Sequence, residues 1–327
     1  MTKKLLCYFG LFFFALVYSC GLSGPKPDKH IVATLEVVGD NMSEEELKAV
    51  ILSIENRFDR WGAYPEIEEG AVKQTLDFNF KTHASQERVL KLLTARADLE
   101  FYEVIKQEFM MPFIQAADRM AGGEGLSEID DLLGNEDSEE NEKAESPLSS
   151  KFQSGFTQGG LFAVLPSDTA EVRGYLMRRD VNDLLGSEKE TIKFLWGAKA
   201  NDNGGFVLYA IRTLPLGKPR MNGRYIEGAE QNFSVVGAPV VTMLMNGKGS
   251  VIWEQITSDA FQNNFQIAIV IDDKVYSAPG VIGPIAGGKS EISGDFTEEE
   301  AADLASMIRA GALPEIKILS FDVVPIK

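Results

Sequence analysis

The chain has 327 residues, which is room for about two domains of roughly 150 residues each. Its formal net charge is -17, so its surface repels the phosphate backbone of nucleic acids and anionic lipid headgroups, and we expect no nucleic-acid partner. Apolar residues make up 44% of the sequence, an ordinary share for a globular protein, so a hydrophobic core is available.

The N-terminus is typical of a targeting segment. Two lysines, Lys3 and Lys4, precede an apolar run over residues 5–18 that suits a signal peptide and is short for a bilayer crossing. The end of this run and the two residues after it, Val17-Tyr18-Ser19-Cys20, resemble a bacterial lipobox. We therefore expect a signal peptide over 1–19, lipidation of Cys20 and a tether over 20–29, in either envelope membrane. An ordinary signal peptide or a short anchor helix is the alternative.

The first half of the chain predicts a compact α+β sheet. Ser43 and Glu46 form a capping box that starts an amphipathic helix. The predicted order is β-α-β-α-β, with helices on one face of a ferredoxin-like base domain over residues 30–117. Its elements are strands at 31–38, 75–81 and 99–105, and helices at 44–60 and around 89–93.

Residues 118–150 separate the two halves. Acidic residues dominate this stretch, and Lys143 is the single base between 124 and 145. Such self-repelling composition predicts a disordered linker, because little apolar surface is available to order it. A calcium loop is the alternative, but the acids lack the spacing of an EF-hand.

The second half predicts another α+β unit over residues 151–313. Alternation and apolar runs indicate strands and helices, and the last strand of the chain is predicted to return to the first. The strands are expected at 161–165, 191–196, 206–212 and 240–245, the helices at 170–185 and from Asn246 to about 261, and the returning strand within 314–327.

The most informative stretch is residues 264–314. An apolar strand, 267–271, precedes an Asp272-Asp273 turn and a returning strand, since Asp tolerates left-handed φ. A third short strand is expected at 289–293. Thr297 and Glu300 form a second capping box, and Gly311 ends the helix that starts there.

Three runs in this stretch resemble the first periplasmic domain of SecD and SecDF, accessory subunits of the bacterial protein-export translocase. They are I-V-I-D-D-K-V-Y-S-A-P, G-G-K-S-E-I-S-G-D-F-T and R-A-G-A-L-P, at 269–279, 287–297 and 309–314. The runs at 57–62 and 94–101 extend the resemblance. It implies a P1-like base plus a head, and a non-catalytic role in protein transport.

The resemblance also implies a polypeptide-binding groove in the head, which here would lie between the hairpin and the helix after Asn246. Flexible, polarisable Met suits promiscuous apolar recognition, and aromatic residues accompany it. The candidates for binding unfolded polypeptide are therefore Met243, Met245, Phe261 and Phe265. Packing in the core is the alternative for most of them.

Nothing in the sequence points to catalysis. His30 and His83 have no carboxylate or cysteine at metal-ligand spacing, and no nucleotide, hydrolase or metalloprotease motif is present. We expect no catalytic residues, no metal and no cofactor. An enzyme with an unrecognised carboxylate site is the third hypothesis.

The leading hypothesis is a lipid-anchored, periplasm-facing domain that holds translocating or unfolded polypeptide. Family members carry transmembrane helices with an intramembrane carboxylate for proton flow, and the sequence shows no second apolar run of that length. We therefore expect no proton-driven motor of its own. The second hypothesis is an interaction module that docks on the Sec translocase or another envelope complex.

Overall fold

The structure is a computed structural model that describes residues 26–59, 64–121, 148–153, 157 and 159–326. Helices and strands mix throughout these ranges, which confirms the α+β class. The helices are α1 (Glu44–Arg57), α2 (Gln86–Thr94), α3 (Gln107–Ala121), α4 (Thr169–Leu176), α5 (Arg179–Asn182), α6 (Gly247–Asn263) and α7 (Glu298–Ala310).

The strands of the described ranges form three sheets, ordered β14-β1-β3-β2, β13-β10-β9 and β5-β7-β6-β12-β11-β4-β8. Their bounds are β1 (Lys29–Val37), β2 (Glu66–Glu69), β3 (Thr75–Thr82), β4 (Leu99–Val104), β5 (Phe162–Val164), β6 (Ile192–Ala200), β7 (Phe206–Arg212), β8 (Met221–Asn222), β9 (Ile226–Phe233), β10 (Pro239–Met245), β11 (Ile267–Ile271), β12 (Lys274–Ser277), β13 (Lys289–Ile292) and β14 (Ile316–Pro325).

The first sheet forms around β1, whose alternate residues Ile31, Ala33 and Leu35 are buried against the helices. That period of two is the pattern of a strand with one covered face. The capping box of α1 is present: the Glu46 N–H donates to the Ser43 hydroxyl and the Ser43 N–H donates to the Glu46 carboxylate. β14 runs antiparallel to β1 at the edge of this sheet.

The third predicted strand of the base lies elsewhere. β4 pairs antiparallel with β11 and also contacts β7 and β8, all in the largest sheet. The first sheet nevertheless has the β-α-β-β-α-β arrangement of a ferredoxin-like base, with the antiparallel strand order β14-β1-β3-β2. Its strands differ from the predicted ones only in that β2, which the sequence analysis missed, and the returning β14 take part and β4 does not. All five residues of β11 are buried, as its continuous apolar run predicts.

One hydrophobic core crosses the predicted boundary at residue 150. It joins Ile31 and Leu76 of the first half to Val241 and Trp253 of the second. The helix α7 makes this possible, because every residue from 301 to 308 is buried. It packs against α1 as well as β9 and β10. The buried stretch is mostly apolar or small, and its one charged residue, Asp303, is paired with Arg88 of α2, so α7 is covered by elements of both halves.

Other differences are local. The helix expected at 170–185 is divided: α4 ends at Leu176 and the short α5 follows at Arg179–Asn182. Gly186, with a φ of +58°, lies just after the predicted end. The helix α3 was missed, since an interior Pro112 interrupts the pattern on which the prediction depends.

The predicted linker begins later than residue 118, because α3 runs to Ala121. Its two flanks also meet, since the carboxylate of Asp118 accepts the N–H groups of Leu148 at 3.0 Å and Ser149 at 3.2 Å. Residues 122–147 lie outside the described ranges, and so do Cys20 and the predicted signal peptide. No helix in the described ranges combines the length and the apolarity that crossing a bilayer requires.

Candidate functional site

The hairpin of β11 and β12 is anchored at its turn. Asp272 and Asp273 have φ values of 50° and 60°, which are the left-handed angles of a type I′ turn. The Asp272 carboxylate accepts the N–H groups of Ala97 at 3.1 Å and Asp98 at 2.9 Å. The turn is thereby joined to the loop between α2 and β4.

A buried arginine completes this anchor. Arg57, at the end of α1, is 1% exposed and donates to the carbonyl oxygens of Leu92, Ala95, Arg96 and Gly311. A cation suits the C-terminal end of a helix, where carbonyl groups lack intrahelical partners. Burial lowers the pKa of Arg57 to about 10, and the charge of the nearby Asp272 carboxylate opposes this.

Asp59, just after α1, makes a second link, this time to α7. Arg309 of α7 places its Nη2 2.7 Å and 2.9 Å from the two carboxylate oxygens of Asp59. Its Nη1 donates to the carbonyl oxygen of Ala229 at 3.3 Å. The segments at 57–59, 94–98, 272 and 309–311 therefore meet in one place, which we call the junction. Most of its polar groups bond to one another, and the buried Nε of Arg57 is the exception among the contacts described.

A cleft of about 710 Å³ opens at the other end of the hairpin. It forms because two parallel strands part. The register of β6 and β12 joins Trp196 to Lys274 and Gly197 to Val275, and it ends there. In β6 the residues 197–199 bulge opposite Val207 of β7. Such a bulge bends its strand, which moves β6 away from β12.

The cleft has an apolar floor and a polar rim. Four floor residues belong to one buried cluster, namely Val207, Tyr209, Val275 and Ala278. The rim includes Asn201, Asp202, Asn203, Ser293 and Asp295. This combination, an apolar surface with a few polar groups at its edge, is typical of ligand-binding sites.

Two tyrosines line the cleft as neutral phenols. Burial raises the pKa of Tyr209. Burial also raises the pKa of Tyr276, and the negative charges of Asp272 and Glu300 add to that shift. Both hydroxyl groups therefore keep their protons at neutral pH.

Lys199 connects the two walls of the cleft. Its Nζ donates to the carbonyl oxygen of Asp295 and, at 2.7 Å, to the carboxylate of Glu300. The same ammonium lies 5.4 Å from the ring centroid of Phe296. Burial alone would raise the pKa of Glu300, but the hydrogen bonds from Lys199 and from the Thr297 backbone lower it overall.

The predicted binding residues do not meet at this cleft. Met243, Met245 and Phe265 are 0%, 4% and 8% exposed and belong to the large shared core. None of the three lines the cleft, and their packing within the shared core favours the core-packing alternative. Their role in binding polypeptide stays a prediction. Phe261 is 51% exposed on α6, and its role stays a prediction.

The position of the groove also differs from the prediction. The hairpin forms one wall, but the opposite walls come from residues 197–203 and 293–296, and no residue of α6 lines the described cleft. Residues 276–279 and 293–296 belong to the runs that carried the family resemblance, and they were assigned to turns and strands. The Asn-Asp-Asn-Gly-Gly segment at 201–205 was likewise assigned to a turn.

The titratable side chains that line the described cleft are aspartates, tyrosines and Lys199. Across the described ranges, no group of three or more histidine, cysteine, aspartate or glutamate side chains lies close enough to hold a metal ion.

Comparison with known sequences finds one family of export proteins. Residues 207–315 match the SecDF P1 head subdomain. The chain is similar to protein translocase subunit SecD of Calditerrivibrio nitroreducens, at 36% identity over 176 residues that cover 50% of this chain and 33% of that protein. It is 29% identical to SecD of Rhodothermus marinus over 288 residues, covering 83% of this chain and 45% of the relative.

Comparison with solved structures agrees in fold. A crystal structure of SecDF in a super-membrane-facing form aligns with a TM-score of 0.51 and 21% identity, covering 93% of this chain and 32% of that chain. At this identity the likeness concerns the fold alone. The chain spans a third of the length of the first of these relatives and less than half of the second.

Proposed function

We propose that this chain is a P1-type member of the SecD/SecDF family and that it holds translocating or unfolded polypeptide in the cleft between β6 and β12. The observation that carries the proposal is the composition of the cleft. Of its residues, Val207, Tyr209, 275–279 and 293–296 fall inside the match to the P1 head.

The chemistry of the cleft suits an occupant of variable sequence. The apolar floor takes up side chains that leave water, which is favourable at about 25 cal/mol per Å² of apolar surface buried. The rim supplies hydrogen-bonding groups that are independent of the side chains of the guest, such as the amides of Asn201 and Asn203. The net charge of -17 disfavours acidic partners, which again argues against nucleic acid.

Membrane attachment is the second part of the proposal. The signal-peptide pattern before Cys20 supports a diacylated cysteine and a location that faces the periplasm. Metabolic labelling with a radioactive fatty acid tests it. We expect label in the wild-type protein and none in Cys20→Ala, and equal labelling of the two would contradict the anchor.

Site-specific photocrosslinking tests the polypeptide site. A benzophenone amino acid replaces Asp202 at the rim of the cleft, Phe261 on α6 or, as a control, the exposed Glu87 on α2. The probe is a reduced, carboxymethylated protein that stays unfolded. We expect crosslinks from position 202 well above those from 87, while crosslinks from 261 alone would return the site to the position predicted from sequence.

Docking on the Sec translocase or another envelope complex is the second candidate. It is favoured by the tip of the β9–β10 hairpin, where Val235 and Val236 are 106% and 89% exposed. Fully exposed apolar side chains are a common feature of protein contact surfaces. A photocrosslinker at Val236 that captures one folded partner in cells would support docking, and capture of many unrelated nascent chains would oppose it.

A further inference from the structure

The residues directly after β12, Ala278 and Pro279, continue alongside β11 and line the cleft. The Ile267 N–H donates to the Pro279 carbonyl oxygen at 3.2 Å, and in the same register Ser277 lies opposite Ile269 of β11. Alternate residues of a strand direct their backbone groups to the same side. Ala278, between Ser277 and Pro279, therefore directs its N–H and C=O away from β11 and toward the cleft.

Among the described residues, no strand pairs with β12 at this point. The ladder between β12 and β6 stops at Val275 and Gly197, three residues before Ala278 on the hairpin side. The bulge in β6 keeps the two strands apart beyond that point. A strand edge with open backbone groups is a template for another strand.

From this edge we infer that the cleft takes a polypeptide as an added β-strand, which pairs through its backbone with Ala278, the residue directly after β12. The inference rests on the proposed function and specifies its mode of recognition. In strand addition, main-chain hydrogen bonds supply affinity, while pockets beneath alternate residues supply the limited side-chain preference. The floor formed by Val207, Tyr209 and Val275 lies where such alternate side chains would enter.

This mode explains how one cleft serves many sequences. Every residue except proline carries the same N–H and C=O groups, so backbone pairing does not depend on the guest's side chains. Pro279 has no N–H and directs its carbonyl to β11, which limits the open edge to the segment before it. The guest therefore needs only a short extended segment.

Backbone N-methylation of short peptides tests the mode without altering the protein. Peptides cut from the unfolded probe are made in three forms: unmethylated, methylated on alternate residues, and methylated at the same number of consecutive central residues. Alternate methylation leaves one edge of an extended peptide intact, whereas consecutive methylation blocks both edges. The peptides are kept short enough that the consecutive methylated residues span the segment able to reach Ala278, so that sliding does not bring an unmethylated end opposite it.

We expect the alternate form to bind within about threefold of the unmethylated peptide, and the consecutive form to bind at least about tenfold more weakly. A scrambled unmethylated peptide is expected to keep its affinity within about threefold. Equal weakening by the two methylation patterns overturns the strand mode and leaves the proposed function intact. Failure of the unmethylated peptide to bind overturns both.

Discussion

The two ends of the β11–β12 hairpin have opposite character. At the turn, the junction is densely hydrogen-bonded: Arg57 donates to four carbonyl oxygens and Asp272 accepts two backbone N–H groups. At the far end, Ala278 faces an open cleft. Both ends lie in the segment that resembles SecD. One hairpin of the SecD-like segment therefore has a turn that stabilises the fold and a far end that lines an open cleft.

The largest effect is expected from Arg57→Met, which keeps the length of the side chain but removes its donors. Several buried carbonyl groups of the junction lose their partners, so we expect a loss of about 3 kcal/mol in the free energy of unfolding. Urea denaturation measures it. The control Arg173→Met, at an exposed position of α4, should change stability by less than about 0.5 kcal/mol. Equal stabilities would contradict the structural role of the junction.

A smaller effect is expected at the turn. Asp272→Ala removes the acceptor of two N–H groups and places alanine at a φ of 50°. Together these changes should cost about 2 kcal/mol. Asp272→Asn tolerates left-handed φ and keeps one acceptor, so it should cost less than about 1 kcal/mol. If Asn is as damaging as Ala in the same urea denaturation, the anchor depends on charge and not on geometry.

The smallest stability effect is expected at the cleft, from Lys199→Met. The Lys199–Glu300 pair is partly exposed, so its loss should cost about 0.5 kcal/mol near neutral pH. Because the folded-state pKa of Glu300 is lowered, this stabilisation is present above the unfolded pKa and is lost as the pH falls through the folded pKa. The difference between wild type and variant should therefore shrink toward about pH 3.

The same variant separates the two ends of the hairpin functionally. Removal of the Lys199 bridge frees one wall of the cleft, so binding of the unfolded probe should change, whereas Arg57→Met should leave binding unchanged under conditions where it stays folded. Fluorescence anisotropy of the labelled probe measures both. A binding defect in the Arg57 variant with none in the Lys199 variant would reverse the assignment of the two ends.

The sequence predicted helix starts and turns well, because these depend on residues that are close together along the chain. The capping boxes at Ser43 and Thr297 start helices because side chain and backbone groups lie three residues apart, within one turn. The Asp272-Asp273 turn depends on two adjacent residues that tolerate positive φ. Local patterns could not predict the partner of β4, since an apolar strand pairs equally well with several others.

The candidate site shows the same limit. Methionine and phenylalanine at 243, 245 and 265 have the composition of an apolar binding surface, but α7 and the sheets cover them. Burial depends on what packs above a residue, which its own sequence neighbours do not specify. The cleft arises where two strands distant in sequence part, so no contiguous pattern marked its walls.

By itself, the sequence determined the α+β class, the capped helices, the hairpin turn and the relationship to SecD, because each depends on residues close together along the chain. The tertiary structure alone decided that one core spans both halves, that Arg57 and Asp272 meet, and that Ala278 faces a cleft. Those features depend on long-range packing, in which the covering of every face of α7 and the bulge in β6 determine which surfaces are buried and which stay open.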